Sequence, residues 1–257
     1  MKRLIPIAAL ALTVGASLSL AQSSKASAQI NTAVGCTISN ATTMGTAPMT
    51  CHDVFSGAAA PVTPDNFVTI MTTSMKLSAS QSLFVSPSLV TGLYTNTTTK
   101  THTGTSSTAT ATGGVYMRAV LTDPNTGNVV MIADPVAICT NDILGCQQSI
   151  SGDFGVTLDS RVQTLTQTLS DCVVTVGTST GTCSFDLTTQ LILQTTSAHT
   201  FNFIFPNVGQ GTYNVSIQVA VNSDATVGGT ATAVGAAAFG LGSVTVESVR
   251  LVHNFSF

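Results

Sequence analysis

Thr212-Tyr213-Asn214-Val215-Ser216-Ile217-Gln218-Val219-Ala220-Val221 is the stretch that decides the fold of this 257-residue chain. Tyr213, Val215, Ile217, Val219 and Val221 fall on one face, and Thr212, Asn214, Ser216 and Gln218 on the other. A repeat of two is the mark of a strand with one face in a core and the other in water. Upstream, Phe201, Phe203 and Phe205 alternate with Asn202 and Ile204, and Pro206–Gly211 supplies turn residues between the two runs. An antiparallel pair is therefore expected here.

The same reading extends outward. Strands are expected at Phe67–Thr72, at Ser82–Tyr94 with a break near Pro87, at Gly114–Thr122, at Asn128–Ala133, around Leu187, Leu191 and Leu193, and from Gly242 to Phe257. Asp123-Pro124-Asn125-Thr126-Gly127 is a turn with a mechanism, because proline presets φ and Asn and Gly tolerate left-handed backbone. Val162, Leu165 and Leu169 have helical spacing, with Asp159 or Ser160 available as a cap. Thr164, Thr166 and Thr168 alternate strictly, and their β-branched side chains favour a strand. Thr95–Gly114 is almost all Thr, Ser, Ala and Gly, and reads as a long mobile loop with a Thr-rich edge strand as the competing picture. In Ala225–Gly242 small residues dominate, which suits close packing inside a sandwich or, alternatively, a self-association surface. No run between strands has the length and period of a crossover helix. The expected fold class is all-β: a two-sheet antiparallel β-sandwich of jelly-roll or Ig-like type.

The first residues carry an address. Lys2 and Arg3 precede an uncharged, mostly apolar run from Leu4 to Leu20, and Ala26-Ser27-Ala28 is a small-x-small cleavage site. This is a secretory signal peptide over 1–28, with Ser19-Leu20-Ala21 as an alternative site. The run is short of a bilayer span of about 20 residues, so no transmembrane helix is expected in the mature chain. Ala33-Val34-Gly35-Cys36 looks like a lipidation box but lies too far beyond the apolar run to be processed as one. The organisation expected is then 1–28 signal peptide, 29–65 irregular segment and 66–257 a single sandwich domain. The protein is expected to be secreted, extracellular or periplasmic.

Six cysteines suit an oxidising compartment. Fifteen connectivities exist for six thiols. Neighbours in sequence meet fastest, so the expected bridges are Cys36–Cys51, Cys139–Cys146 and Cys172–Cys183. A hairpin through the last pair centres on Gly177-Thr178, the order of a type II′ turn. Zinc spacing such as C-x-x-C is absent, and no metal or other cofactor is expected.

Only 7% of residues are charged, and the formal net charge is −3. Cleavage after Ala28 would leave five cations (Lys76, Lys100, Arg118, Arg161, Arg250) against eleven acids. Five scattered cations cannot track a phosphate backbone, so nucleic acid is excluded as a partner. The polar surface must be built from Thr, Ser, Asn and Gln, which suits contact with polysaccharide, cell-surface matrix or copies of itself.

Candidate chemistry is thin. Gly177-Thr178-Ser179-Thr180-Gly181 matches the G-x-S-x-G nucleophile elbow, and Asp186 and His199 follow in the order of a serine hydrolase. The elbow needs a strand before the serine and a helix after it, whereas this run sits at the tip of an expected hairpin. His52, His102, His199 and His253 form no metal-ligand pair. Asp123 with Asn125, and Asn141 with Asp142, are the nearest approaches to a calcium loop. With one glutamate, Glu247, a glycosidase pair would have to be built from aspartates. No Trp and only Tyr94, Tyr116 and Tyr213 are present, too few for a sugar-stacking platform. Val249, Leu251, His253, Phe255 and Phe257 alternate like the last strand of an outer-membrane barrel, whose two aromatic girdles this chain cannot furnish.

Ser197–Asn222 and Gly242–His253 resemble segments of uncharacterised secreted bacterial proteins, and the G-x-Y-x-V run Gly211–Val215 is similar to jelly-roll domains of the C1q/TNF type. The resemblance covers the last quarter of the chain, implies a jelly-roll sandwich and brings no catalytic residue with it. The functional expectation is a secreted, non-catalytic structural or surface-interaction protein. A hydrolase using Ser179 and an outer-membrane barrel are the alternatives.

Overall fold

The computed structural model describes residues 25–30, 35–45, 49–55, 62, 66–140 and 143–249. Its long strands are those whose side chains alternate most strictly. They are β2 (Gly35–Thr42), β3 (Val68–Leu77), β4 (Gln81–His102), β5 (Thr105–Thr122), β8 (Phe154–Leu169), β11 (Asp186–Thr200), β13 (Gly211–Gly228) and β14 (Thr230–Val249). Shorter strands complete the set: β1 (Lys25–Ile30), β6 (Val129–Ile132), β7 (Cys146–Gln148), β9 (Cys172–Val176), β10 (Ser179–Cys183) and β12 (Phe203–Val208). One helical turn, α1 (Cys51–Val54), follows β2.

The first sheet runs β2-β14-β4-β11, with β1 beside β14 and β12 beside β4; the second runs β3-β13-β5-β8-β7, with β6 beside β5. All pairs are antiparallel. Successive long strands mostly change sheet, giving two four-stranded layers wound as a jelly roll. Of the two sandwich types expected, this is the one the chain adopts.

The interior changes character along its length. At one end Leu83, Val85, Leu89, Met117, Leu121, Phe203, Phe205, Ile217, Val244 and Val246 are buried together. At the other, Ala109, Ala111, Ala231 and Ala233 form the apolar contact, and the sheets come closer. A Cβ on Gly113 would stand 2.7 Å from Ala236 O, and one on Gly235 would collide with the carbonyls of Thr112 and Asp224. Ala231, Ala233, Gly235 and Ala237 of Ala225–Gly242 therefore pack inside the sandwich. The parity of β14 shifts at a bulge between Gly240 and Gly242, where Leu241 has φ 20° and points to solvent. The bulge turns Val244 and Val246 inward beyond the run that ends at Phe239.

Several expectations give way. Thr95–Gly114 is no loop: β4 and β5 run through it and turn only at Thr103-Gly104, with Gly104 at φ 78°. Its apolar content is low, but its Thr residues gain partners across the sandwich. β4 also passes through Pro87 unbroken. Phe201 N donates to Pro87 O at 3.2 Å, so the missing N–H faces the junction where β11 ends and β12 begins. The expected pairing of 201–205 with 212–221 does not form. β12 joins β4 in one sheet and β13 joins β3 and β5 in the other, because Phe203 and Phe205 fill the interior while the linker changes layers. Within 29–65, expected to be irregular, β2 is a regular strand on β14. Lys25–Ala28, assigned to the leader, belong to β1, which pairs with β14 from Glu247 to Gly242 and is pinned by Lys25 Nζ on Glu247 Oε1 at 2.8 Å. The C-terminal strand is β14 as far as Val249; Arg250–Phe257 lie outside the described residues.

Other expectations hold. Residues 154–169 are strand β8. All three local disulfides are present. Cys172 sits opposite Cys183 in the β9–β10 hairpin, with Gly177 at φ 62° and Thr178 outside the left-handed region, as a type II′ turn requires. In the Asp123–Gly127 turn, Asn125 N donates to Asp123 Oδ1 at 2.7 Å and Gly127 takes φ 72°.

The close approach at Gly235 is testable. Gly235→Ala is expected to lower the unfolding free energy by about 3 kcal/mol, since the colliding atoms are backbone and cannot step aside. Gly228→Ala, where a Cβ meets nothing within 4 Å, is expected to change it by less than about 0.5 kcal/mol. Denaturant melts of both variants would check the contrast.

Candidate functional site

The elbow motif is dismantled by its own topology. Ser179 opens β10 at the tip of an exposed two-stranded hairpin, and the element after it is a strand. Asp186 and His199 stand at opposite ends of β11, about 40 Å apart at the rise of a strand. Asp186 instead contacts His102 on β4. His199 Nε2 lies 2.7 Å from Ser197 Oγ and 3.5 Å from Asp159 Oδ2, which also accepts from Thr91 Oγ1 at 2.7 Å. A serine, a histidine and an aspartate do meet there, but both partners crowd one ring nitrogen. A catalytic triad divides them between the two nitrogens so that the acid orients the base.

Asp53 and Asp123 are spent on local turns. Asp53 accepts from Thr50 Oγ1 at 2.7 Å and Thr50 N at 2.9 Å at the start of α1. These bonds hold its carboxyl below the ordinary 3.8, so their contribution is present above that pH and fades as pH falls through the lowered value. Asp123 serves its turn; Asn141 and Asp142 lie outside the described residues. Among the described residues no cluster of three or more His, Cys, Asp or Glu is placed to hold a metal.

What sequence reading missed is a polar ladder between the sheets. Inward-facing Thr95, Thr97, Thr99 and Thr101 of β4 are fully buried, and β8 places two glutamines across from them. Thr95 Oγ1 donates to Gln163 Oε1 at 2.8 Å, and Gln163 Nε2 donates to Thr97 Oγ1 at 2.7 Å and to Leu191 O at 2.8 Å. One turn of the pattern further, Thr99 and Thr101 donate to Gln167 Oε1 at 3.0 and 3.1 Å, and Gln167 Nε2 reaches Thr189 Oγ1 at 3.1 Å. Arg161 closes the series on Thr195 Oγ1 at 2.8 Å. Among the described residues, no buried side-chain nitrogen or oxygen is left without a partner. The signal was available: Gln163 and Gln167 share the parity of β8's inner face, and four threonines alternate on β4.

Two features stand out on the outer faces of the described sheets. On the outer face of the second sheet, hydroxyls pair across β5 and β8: Thr110 with Thr164 at 3.1 Å, Thr108 with Thr166 at 3.4 Å and Ser106 with Thr168 at 3.0 Å. The row is uncharged and open to solvent, because the same strands send their alternate residues inward. On the outer face of the first sheet lies a shallow cleft of about 220 Å³, floored by Gly92, Ala238 and Gly240 and walled by Phe55, Gln194 and Leu241. The Cys36–Cys51 bridge ties α1 to β2 and so holds Phe55 over Gly92, where a Cβ would come 2.7 Å from the ring.

No family model matches the chain, and no curated protein matches it. Among solved structures, infectious bursal disease virus of the Gt strain aligns at 14% identity and a TM-score of 0.15, over 96% of this chain and 47% of that one. The Gx strain aligns at 11% and 0.14, over 88% and 40%. The chain thus spans under half the length of these viral chains, and similarity at this level carries no functional inference.

Gln163→Leu should remove the side-chain partner of the buried Thr95 and Thr97 hydroxyls, at a cost of about 3 kcal/mol in a denaturant melt. In an acyl-ester screen, Ser179→Ala and wild type are expected to give equal rates.

Proposed function

We propose that the chain is an exported, non-catalytic structural and surface-interaction module whose contact face is the hydroxyl row of β5 and β8. The observation that carries this reading is the uncharged, solvent-facing row of three cross-strand hydroxyl pairs. The row itself carries no charge; Lys76, Arg118 and Asp224 lie on the same outer face but off the row. It offers many weak donors, acceptors and methyl groups at regular intervals, which suits the hydroxyl-rich surface of an extended polysaccharide or cell-wall matrix. Export is supported by the N-terminal charge-and-apolar pattern and by three disulfides, which persist in an oxidising compartment.

The pairing of β1 favours Ala21 over Ala28 as the processing point. Removal of Lys25–Ala28 would strip four of the residues that pair with β14, together with the Lys25–Glu247 contact. N-terminal sequencing of the exported protein is expected to begin at Gln22. A start at Gln29 would overturn this.

The contact face is tested by co-sedimentation with insoluble polysaccharides. Thr108→Val, Thr110→Val and Thr164→Val together keep the branched shape and remove three hydroxyls. Retention is expected to drop at least about tenfold, a loss of about 1.4 kcal/mol, with unchanged circular dichroism. Equal retention of variant and wild type, or no retention of either, would remove this reading.

A further inference from the structure

β11 is paired along one side only, by β4; among the described residues no strand pairs with its other side. β8 is paired along its length by β5, but β7 covers only Phe154–Val156, which leaves Leu158–Leu169 open as well. The contacts from Gln163 to Leu191 O and from Gln167 to Thr189 place the two strands opposite each other. Two long open edges therefore run one above the other along the same side of the sandwich. The edges of the opposite side are shorter: β1 and β2, of 6 and 8 residues, lie on β14, and β3, of 10 residues, lies on β13.

Sheet proteins guard free edges with Lys, Pro, inward charge or bulges. From Leu187 to Ala198 β11 has no charged residue and no proline, and β8 has none from Val162 to Leu169. Four large apolar residues stand open on β11 instead: Leu187 (48% exposed), Leu191 (40%), Ile192 (51%) and Leu193 (43%). The strip continues at one end into the β9–β10 hairpin, where Val174 and Val176 are also exposed.

We infer that this side is where another copy of the same chain packs. An open antiparallel edge is its own complement, because a second copy turned end for end offers N–H to C=O along the strand. The charges that border the strip are already engaged within the protomer: Asp186 with His102, Asp159 with Thr91 and His199, Arg161 with Thr195. The strip itself, Leu187–Ala198 on β11 and Val162–Leu169 on β8, carries no charge, so it selects no oppositely charged partner and sets no like charges against each other along its length. The area is sufficient. Fifteen residues span about 50 Å, and two layers about 10 Å apart with their side chains give roughly 800 Å² per copy, the size of a standard stable interface. The inference goes beyond the polysaccharide-contact reading and stands without it: the hydroxyl row faces outward from β5 and β8, whereas the open edge faces sideways from β8 and β11, and Thr110 lies one strand in from that edge.

The disulfide-bonded mature protein would be followed by light scattering between about 1 and 100 µM. Wild type is expected to be a closed oligomer. Leu191→Lys and Leu193→Lys should each raise the dissociation constant at least about a hundredfold, because a lysine there must be desolvated to pair the edge. Thr110→Val should leave the oligomer intact, which separates this test from that of the contact face. Amide exchange in wild type gives a readout independent of any variant: β11 amides should be slower at high than at low concentration. A monomer at about 100 µM, an oligomer that both lysine variants leave unchanged, or β11 exchange independent of concentration would each overturn the inference.

Discussion

Two sheets can enclose a dry interior only if something fills the space between them at every level. This chain meets that constraint in two ways along one sandwich. Where large apolar residues are available, Phe203, Phe205, Met117 and Ile217 fill the gap. Where they run out, Ala109, Ala111, Ala231, Ala233 and the bare backbones of Gly113 and Gly235 bring the layers together. Beside that narrow zone, Gln163 and Gln167 bridge to the β4 threonines. A half-satisfied ladder would be worse than an apolar core, since each buried hydroxyl without a partner costs about 1–3 kcal/mol. Full satisfaction is what allows a core so poor in Leu and Phe to persist.

The same ladder fixes register. Side chains in a strand alternate, so slipping β8 by one residue would present Val162 and Thr164 to β4 in place of Gln163. An apolar core tolerates some exchange of shapes; a set of donors and acceptors with defined partners does not. The disulfides act elsewhere, outside the interior. Cys172–Cys183 closes the hairpin that carries the chain from β8 in one sheet to β11 in the other, and Cys36–Cys51 fastens the N-terminal turn onto β2. Ordering long Thr-rich strands is entropically expensive, and cross-links placed at the crossings lower the cost on the unfolded side.

Much of the fold was legible in the alternation of Val215, Ile217, Val219 and Val221, in the Asp123–Gly127 turn and in the local cysteine pairs. Each of those signals is decided by near neighbours. The failures share one cause, which is that their partners are distant in sequence. Thr95–Gly114 looked too polar to order because the residues that satisfy it, Gln163 and Gln167, lie about seventy positions away. The Phe201–Phe205 run reads as the partner of its neighbour 212–221 because a turn lies between them, yet jelly-roll connections cross from layer to layer. The candidate site was less legible than the fold. G-x-S-x-G carried a motif without its geometry, whereas the hydroxyl row on β5 and β8 has no motif and exists only once two strands are in register.

Threonine makes the difficulty concrete. Thr95-x-Thr97-x-Thr99 on β4 and Thr108-x-Thr110-x-Thr112 on β5 are the same pattern in sequence, and the first is sealed inside while the second faces out. Nothing in the residues themselves distinguishes them. On β5 the alternate positions are Ala109, Ala111 and Gly113, small enough to face the close layer, so its threonines are forced outward. On β4 the alternate positions include Asn96, Thr98 and Lys100, and a long amide waits across the gap for the inward row. The direction of each threonine is thus set by what its neighbours can bury. One composition builds both the interior that holds the sheets in place and an uncharged row of hydroxyls on the outer face.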